Sequence, residues 1–213
     1  LDVAVKMVTA RQVGGDLYDL IRLDDKRLGV MIGDVSGKGV PAALYMARVV
    51  SEFKTFVKEG SPSIVVKKLN DQLVAGSGSN LFVTLTYMII DTEKNNVEFA
   101  VGGHLPGILV SPQGKVEMLD AEEGMPLGLI SGDFSPASRQ YEPGSLIILY
   151  TDGVTEAMDT EGRMYGNDRL VKFAAGLRGF SAGEATDMIL KSVERFAAKA
   201  DQHDDITIMS IRT

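Results

Sequence analysis

Gly33-Asp34-Val35-Ser36-Gly37-Lys38-Gly39-Val40-Pro41-Ala42-Ala43 ends one β-rich run and opens a helix, with an aspartate where the chain changes direction. Upstream, Leu28 to Val35 and Leu17 to Leu23 read as two strands joined by an Asp24-Asp25-Lys26 turn, and Val3, Val5 and Met7-Val8 lie in a further extended run. Downstream, Val40, Ala43, Leu44, Ala47, Val50, Phe53 and Val57 recur at helical spacing and predict one buried stripe. Pro41 falls in the first turn, where its missing N–H is harmless. Three more runs hold aspartates beside glycine or at a strand end: Gly14-Gly15-Asp16-Leu17-Tyr18-Asp19, Tyr150-Thr151-Asp152-Gly153 and His203-Asp204-Asp205-Ile206-Thr207. Carboxylates projecting from fixed strand ends into one cleft are a natural ligand set for hard divalent cations, so the four runs are read as one metal site.

The remaining elements set the fold class. Ser61-Pro62 reads as an N-cap with a first-turn proline, ahead of Ile64, Val65, Leu69 and Leu73 on one side of a second helix that stops near Gly76. Leu81 to Ile90, Val97 to Val101, Ile108 to Val110, Val116 to Leu119, Phe134 to Tyr141 and Leu146 to Tyr150 read as strands between turn residues. Ser181-Ala182-Gly183-Glu184 has capping-box form before Ala185, Met188, Ile189, Val193, Phe196 and Ala197, and Ile206 to Ile211 alternates as a closing strand. Strands joined by short turns and interrupted by helical segments predict antiparallel sheets covered by helices, an α/β (α+β) layered sandwich, rather than βαβ units.

Composition narrows the function. The 213 residues, 45% hydrophobic, suit one domain with a sizeable core. A formal charge of −7 argues against nucleic acid as a partner, because phosphate backbones select basic faces. The chain has no cysteine, which removes disulfides, thiolate zinc sites and cysteine nucleophiles and is compatible with a reducing cytoplasm. Leu81 to Ile90 is about half the ~20 residues of a membrane span, so no membrane insertion is expected. The start at Leu1, directly on a strand, suggests a piece of a longer regulatory protein.

Together with Gly102-Gly103-His104-Leu105-Pro106, Pro126-Leu127-Gly128 and the extension Val154-Thr155-Glu156-Ala157, the aspartate runs resemble the bacterial SpoIIE/RsbU branch of the metal-dependent type 2C (PPM) serine/threonine phosphatases, in that family's order and over nearly the whole chain. The resemblance implies a four-layer αββα sandwich, two antiparallel sheets flanked by helices, with two Mn²⁺ or Mg²⁺ ions at one edge. Asp16 and Asp34 would be core ligands with the Val35 carbonyl beside them, and Asp152 and Asp204 would complete a binuclear site. Two cations about 4 Å apart can lower the pKa of a shared water and neutralise phosphoryl oxygens, so direct hydrolysis needs no protein nucleophile. The implied substrate is a phosphoserine or phosphothreonine on a regulatory protein, most plausibly a STAS-domain anti-sigma-factor antagonist. An upstream sensor or activator would act through the helices Val40 to Val57 and Ile64 to Val74, and homodimerisation is left open.

Other residues carry two readings. Gly15, Gly33 and Gly153 let backbone pass close to the ions. Asp19 either binds metal through water or ends a loop. His104 is a proton donor or, as favoured, a structural hydrogen bonder; it follows Val101-Gly102-Gly103 where the family commonly has Asn-Ala-Gly. Arg11 contacts phosphate or forms a surface ion pair, and Asp205, where many relatives have Asn, supports the ligands from behind. Gly33 to Gly39 lacks the spacing and final Ser/Thr of a nucleotide phosphate loop. Two alternatives remain: a pseudophosphatase or partner-binding switch module on the same fold, and, more weakly, a diguanylate cyclase-like enzyme suggested by Gly14-Gly15-Asp16.

Overall fold

In the computed structural model, which describes residues 1–76, 80–122 and 124–213, the chain enters on β1 (Asp2–Val8) and then folds the hairpin of β2 (Asp16–Arg22) and β3 (Arg27–Val35). Asp24 closes that hairpin: its Oδ1 accepts from the backbone N–H of Lys26 (2.9 Å) and Arg27 (2.8 Å), and its Oδ2 takes Arg27 Nε at 2.7 Å. These donors hold the Asp24 carboxyl below the usual carboxylate range, led by the Lys26 N–H. Next come α1 (Val40–Phe56), α2 (Pro62–Ala75), β4 (Val83–Asp91), β5 (Asn96–Gly102), β6 (Gly107–Val110), β7 (Val116–Leu119), β8 (Ala137–Gln140) and β9 (Leu146–Tyr150). The chain ends with α3 (Asp152–Thr155), α4 (Asn167–Ala174), a 3₁₀ turn at Ala175–Leu177, α5 (Ala182–Ala197) and β10 (Ile206–Arg212). The architecture is two antiparallel five-stranded sheets flanked by helices.

The sheets belong to two compact units. The first unit, Leu1–Gln12, Gly107–Leu119 and Tyr141–Thr213, carries the sheet β1-β10-β9-β6-β7, with α5 against β1 and β10 and α4 against β6. Ser181 caps α5 as expected: its hydroxyl accepts from Glu184 N while Glu184 Oε2 accepts from Ser181 N at 2.8 Å. β10 departs from the alternating closing strand predicted for it. It lies inside the sheet between β1 and β9, and Ile206 to Ile211 is buried on both faces.

The second unit, Val13–Pro106 and Asp120–Gln140, carries the sheet β2-β3-β4-β5-β8 with α1 and α2 packed on it. Its core joins Leu17 and Met31 of the sheet to Tyr45, Val49, Phe53, Val65, Leu69 and Leu73 of the helices. The predicted α1 stripe holds at Phe53 and Val57 and is rotated in the first turns. Ala42, Tyr45, Val49 and Phe53 are buried, whereas Val40 and Leu44 are 63% and 68% exposed. In α2, Val65, Val66, Leu69 and Leu73 face inward and Ile64 is exposed. The strand expected from Phe134 to Tyr141 shortens to β8, because Pro136 has no N–H to give the ladder.

Candidate active site

The β2–β3 register sets Asp16 directly opposite Asp34, and the β3–β4 register sets Asp34 opposite Thr84. Side chains alternate along a strand. Leu17, Met31 and Val35 point into the helical core, so Asp16, Asp34 and Thr84 form a polar row on the other face. Asp16 is buried at 3% exposure. Thr84 Oγ1 lies 2.9 Å from His104 Nδ1 and 3.5 Å from the Asp34 carbonyl, which ties the Gly102-Gly103-His104 turn to the Asp34 end of the row. Thr84 thus orients the His104 ring through Nδ1. Thr84 escaped sequence reasoning, although Val83-Thr84-Leu85-Thr86 alternates in phase with Asp34.

Gly15 makes room beside the pair. A Cβ there would stand 2.8 Å from the Val35 carbonyl oxygen and 2.9 Å from Asp34 Oδ1. The backbone N–H of Val35 donates to the Gly15 carbonyl at 3.2 Å, and the Val35 carbonyl oxygen and Asp34 Oδ1 both lie close to Gly15, next to Asp16 in the chain. The loop beyond is pinned to β4 by Ser36, whose N–H donates to the Phe82 carbonyl and whose Oγ accepts from Phe82 N, both at 2.9 Å. Gly33 differs from expectation: its Cβ would strike the Thr84 carbonyl and Leu85, so it serves strand packing.

Asp19 lies three residues beyond Asp16 on β2 and therefore on the helical face, where Lys54 Nζ of α1 stands 3.3 Å from its Oδ2. Geometry assigns it to the α1 contact. Arg11 is exposed and belongs to the other unit.

In the first unit, adjacent strand ends place the second pair of aspartates. Thr151 N donates to the Thr207 carbonyl at 3.1 Å and Thr207 N to Thr151 Oγ1 at 2.9 Å, joining the chain just beyond β9 to the start of β10. Asp152 follows Thr151 as the first residue of α3, and Asp204 lies two residues before β10. Gly153 packs against the Asp205 carbonyl with no space for a Cβ, so it too is a backbone contact. Asp204 Oδ1 accepts from Asp205 N at 3.0 Å, while Asp205 Oδ1 accepts from Ala10 N at 2.8 Å and holds the segment after β1. Asp205 thus ties the segment after β1 to the approach to β10.

Asp16, Asp34 and Val35 belong to the second unit, and Asp152 and Asp204 to the first. Among the described residues no group of three or more His, Asp or Glu is placed so that it could hold a metal ion. The candidate ligands come instead as two pairs. An all-oxygen donor set, with a glycine crevice beside one pair, fits a hard divalent cation such as Mn²⁺ or Mg²⁺.

Comparison with known proteins gives the family. The profile of the family described as Stage II sporulation protein E (SpoIIE) matches residues 24–213. The chain belongs to the SpoIIE family. It is 30% identical over 214 residues to the phosphoserine phosphatase RsbU of Bacillus subtilis (strain 168), covering 100% of this chain and 63% of that protein. It spans less than two thirds of the length of the curated relatives it matches. The SiaA-PP2C domain of Pseudomonas aeruginosa superposes with a TM-score of 0.90 at 19% identity, over 99% of this chain and 85% of that one. RsbX, solved in complex with magnesium, gives 0.74 at 18% identity, over 99% and 94%. The SpoIIE-family chain thus has the PP2C-domain fold. Among the described residues no helix is long and apolar enough to cross a membrane.

Proposed function

We propose that this SpoIIE-family chain is the catalytic part of a longer regulatory protein and hydrolyses phosphoserine or phosphothreonine on a protein substrate. The observation that carries the reading is the row across β2 and β3, where Asp16 and Asp34 stand opposite each other beside the Gly15 crevice. Asp152 and Asp204, at neighbouring strand ends, supply the other two carboxylates. Asp16, Asp34, the Val35 carbonyl, Asp152 and Asp204 would hold two divalent ions, Mn²⁺ or Mg²⁺. What the ions supply when bound is an acidified water and neutralisation of phosphoryl charge. The chain's own residues fix the geometry. The β2–β3 ladder holds Asp16 opposite Asp34, and the Thr151–Thr207 bonds join the residue before Asp152 to the start of β10. In the reaction the serine O–P bond breaks as a water O–P bond forms, giving inorganic phosphate and a serine hydroxyl, with no redox partner.

The similarity to RsbU supports a cytoplasmic regulatory phosphoprotein as substrate, and a STAS-domain anti-sigma-factor antagonist is the specific proposal. We infer in addition that α1, which starts five residues beyond Val35 and packs on β2 and β3, passes signals from an upstream sensor or a second copy of the chain to the Asp34 end. Equal activity of this chain and the stimulated full-length protein would refute that coupling. The main test is Mn²⁺-dependent phosphate release from a phosphoserine protein. Loss of release with a chelator and in Asp152→Asn is the expected result. Release that survives both controls would overturn the metal reading.

A further inference from the structure

Beside Asp204 the first unit holds a groove of about 220 Å³ between the end of α3, the end of α5 and the segment leading to β10. Its floor is apolar and built from small side chains, among them Ala157, Ala197 and Ala200, with the buried Val193 and Ile206 behind them. Four carboxylates line it, Glu156, Glu194, Asp201 and Asp204, and no lysine or arginine does. The groove is held in shape by its own backbone. Ala198 N donates to the Glu194 carbonyl and Ala200 N to the Ala197 carbonyl, both at 2.9 Å. Gln202 Nε2 donates to the carbonyls of Val8 (2.8 Å) and Asp204 (2.7 Å).

We propose that this groove binds a long cationic side chain, arginine or lysine, of the phosphoprotein substrate, and so selects phosphoserines with a basic neighbour. This rests on the phosphatase reading above. Charge complementarity identifies the occupant. An arginine or lysine lays its methylene stem along apolar surface while its charged head reaches a polar rim, and the alanine floor and the rim carboxylates Glu156, Glu194 and Asp201, which are not candidate metal ligands, match those two halves. A metabolite phosphate or an acidic segment would be repelled by the same rim. Because Asp204 belongs both to the groove and to the candidate ligand set, the cationic residue lies close to the phosphoserine in sequence. An extended peptide advances about 3.3–3.6 Å per residue, and the stem of an arginine spans two such steps, which places the basic residue within about three positions.

The experiment compares phosphoserine peptides that carry one arginine at each position from about three before to three after the phosphoserine with an all-alanine peptide. A small aryl phosphate, which has no side chain to offer the groove, reports the hydrolytic site alone. At one position arginine should raise kcat/KM about tenfold, an advantage that shrinks at high salt. Glu194→Lys, which reverses a rim charge, and Ala197→Leu, which fills the floor, should each bring that ratio close to one while leaving aryl phosphate hydrolysis unchanged. No arginine advantage at any position, or an advantage that survives both variants, overturns the proposal. Binding of the same peptides with a non-hydrolysable phosphonate in place of phosphoserine is measured in parallel. An arginine preference in binding without any phosphate release would sink the phosphatase reading and leave the groove standing. Hydrolysis without preference would do the reverse.

Discussion

Replacing Gly15 by alanine tests the candidate site with a single methyl group. The added Cβ would stand 2.8 Å from the Val35 carbonyl oxygen and 2.9 Å from Asp34 Oδ1, where ordinary contact begins at 3.4 Å. Both oxygens must therefore retreat by roughly half an ångström, more than the ~0.2 Å within which metal–ligand distances are held. The backbone at Gly15 is not left-handed, so the effect is one of space and not of strain. Overpacking of this size costs roughly 1–3 kcal/mol of stability. The expected loss in Mn²⁺ affinity is about 10–100-fold, the range seen when groups that orient ligands are disturbed. Calorimetric Mn²⁺ titration and Mn²⁺-dependent phosphate release give the affinity, and melting without metal gives the stability. Gly162→Ala is the control. Its φ of +76 makes alanine costly by about 1–2 kcal/mol, yet nothing lies within 4 Å, so it should lower melting and leave Mn²⁺ binding alone. A folded Gly15→Ala protein with native Mn²⁺ affinity would refute the assignment of Asp34 and Val35.

Asn70, 1% exposed, donates to the Ile130 carbonyl and accepts from Gly128 N, both at 2.9 Å, so Asn70→Ala strands two backbone groups and should cost about 2–4 kcal/mol in urea unfolding; a loss below about 0.5 kcal/mol would mean that the 127–130 loop relaxes freely. Asp19→Asn removes an ion pair with exposed Lys54, should change stability by less than about 1 kcal/mol, and should leave the Mn²⁺ dependence of hydrolysis unaltered; a shifted Mn²⁺ curve would return Asp19 to the metal site. Burial pushes the Tyr87 and Tyr150 hydroxyls up to about 12 from 10.0. Because the unfolded chain deprotonates first, their stabilisation is complete below about pH 10 and is lost as pH rises towards 12. The Tyr87 hydroxyl has no hydrogen-bond partner among the described residues, so Tyr87→Phe should keep neutral-pH stability and melt at a higher temperature than the parent in that alkaline window; an unchanged alkaline melting curve would contradict the burial argument.

What the sequence made legible and what it hid have distinct physical causes. Turn and cap chemistry is local, so the Asp24 hairpin, the Ser181 capping box and most strand limits are readable from neighbouring residues alone, whereas Ser61 holds the N-cap position of α2 without a side-chain capping bond. The phase of α1 depends on what the helix meets. Its apolar residues outnumber the buried positions, and two stripes compete: one through Val40, Leu44 and Ala47, and one through Ala42, Tyr45, Val49 and Phe53. The second wins because the Phe53 ring packs edge-on against Tyr87 of β4, at 4.9 Å between centroids, and Tyr45 closes over Gly128. Neither partner is near in sequence. The same holds for β10, whose run Ile206 to Ile211 reads as an alternating strand until β1 and β9 are known to flank it. Thr207 is fully buried there, and its backbone N–H donates to the Thr151 hydroxyl. The aspartates were found by type and by their glycine neighbours. Their division into the Asp16–Asp34 pair and the Asp152–Asp204 pair is a matter of strand register, which no single run encodes. Register also decides between Asp16 and Asp19. Two carboxylates three residues apart on one strand must point to opposite faces, so only one of them can join Asp34, and the core residues Leu17 and Met31 determine which.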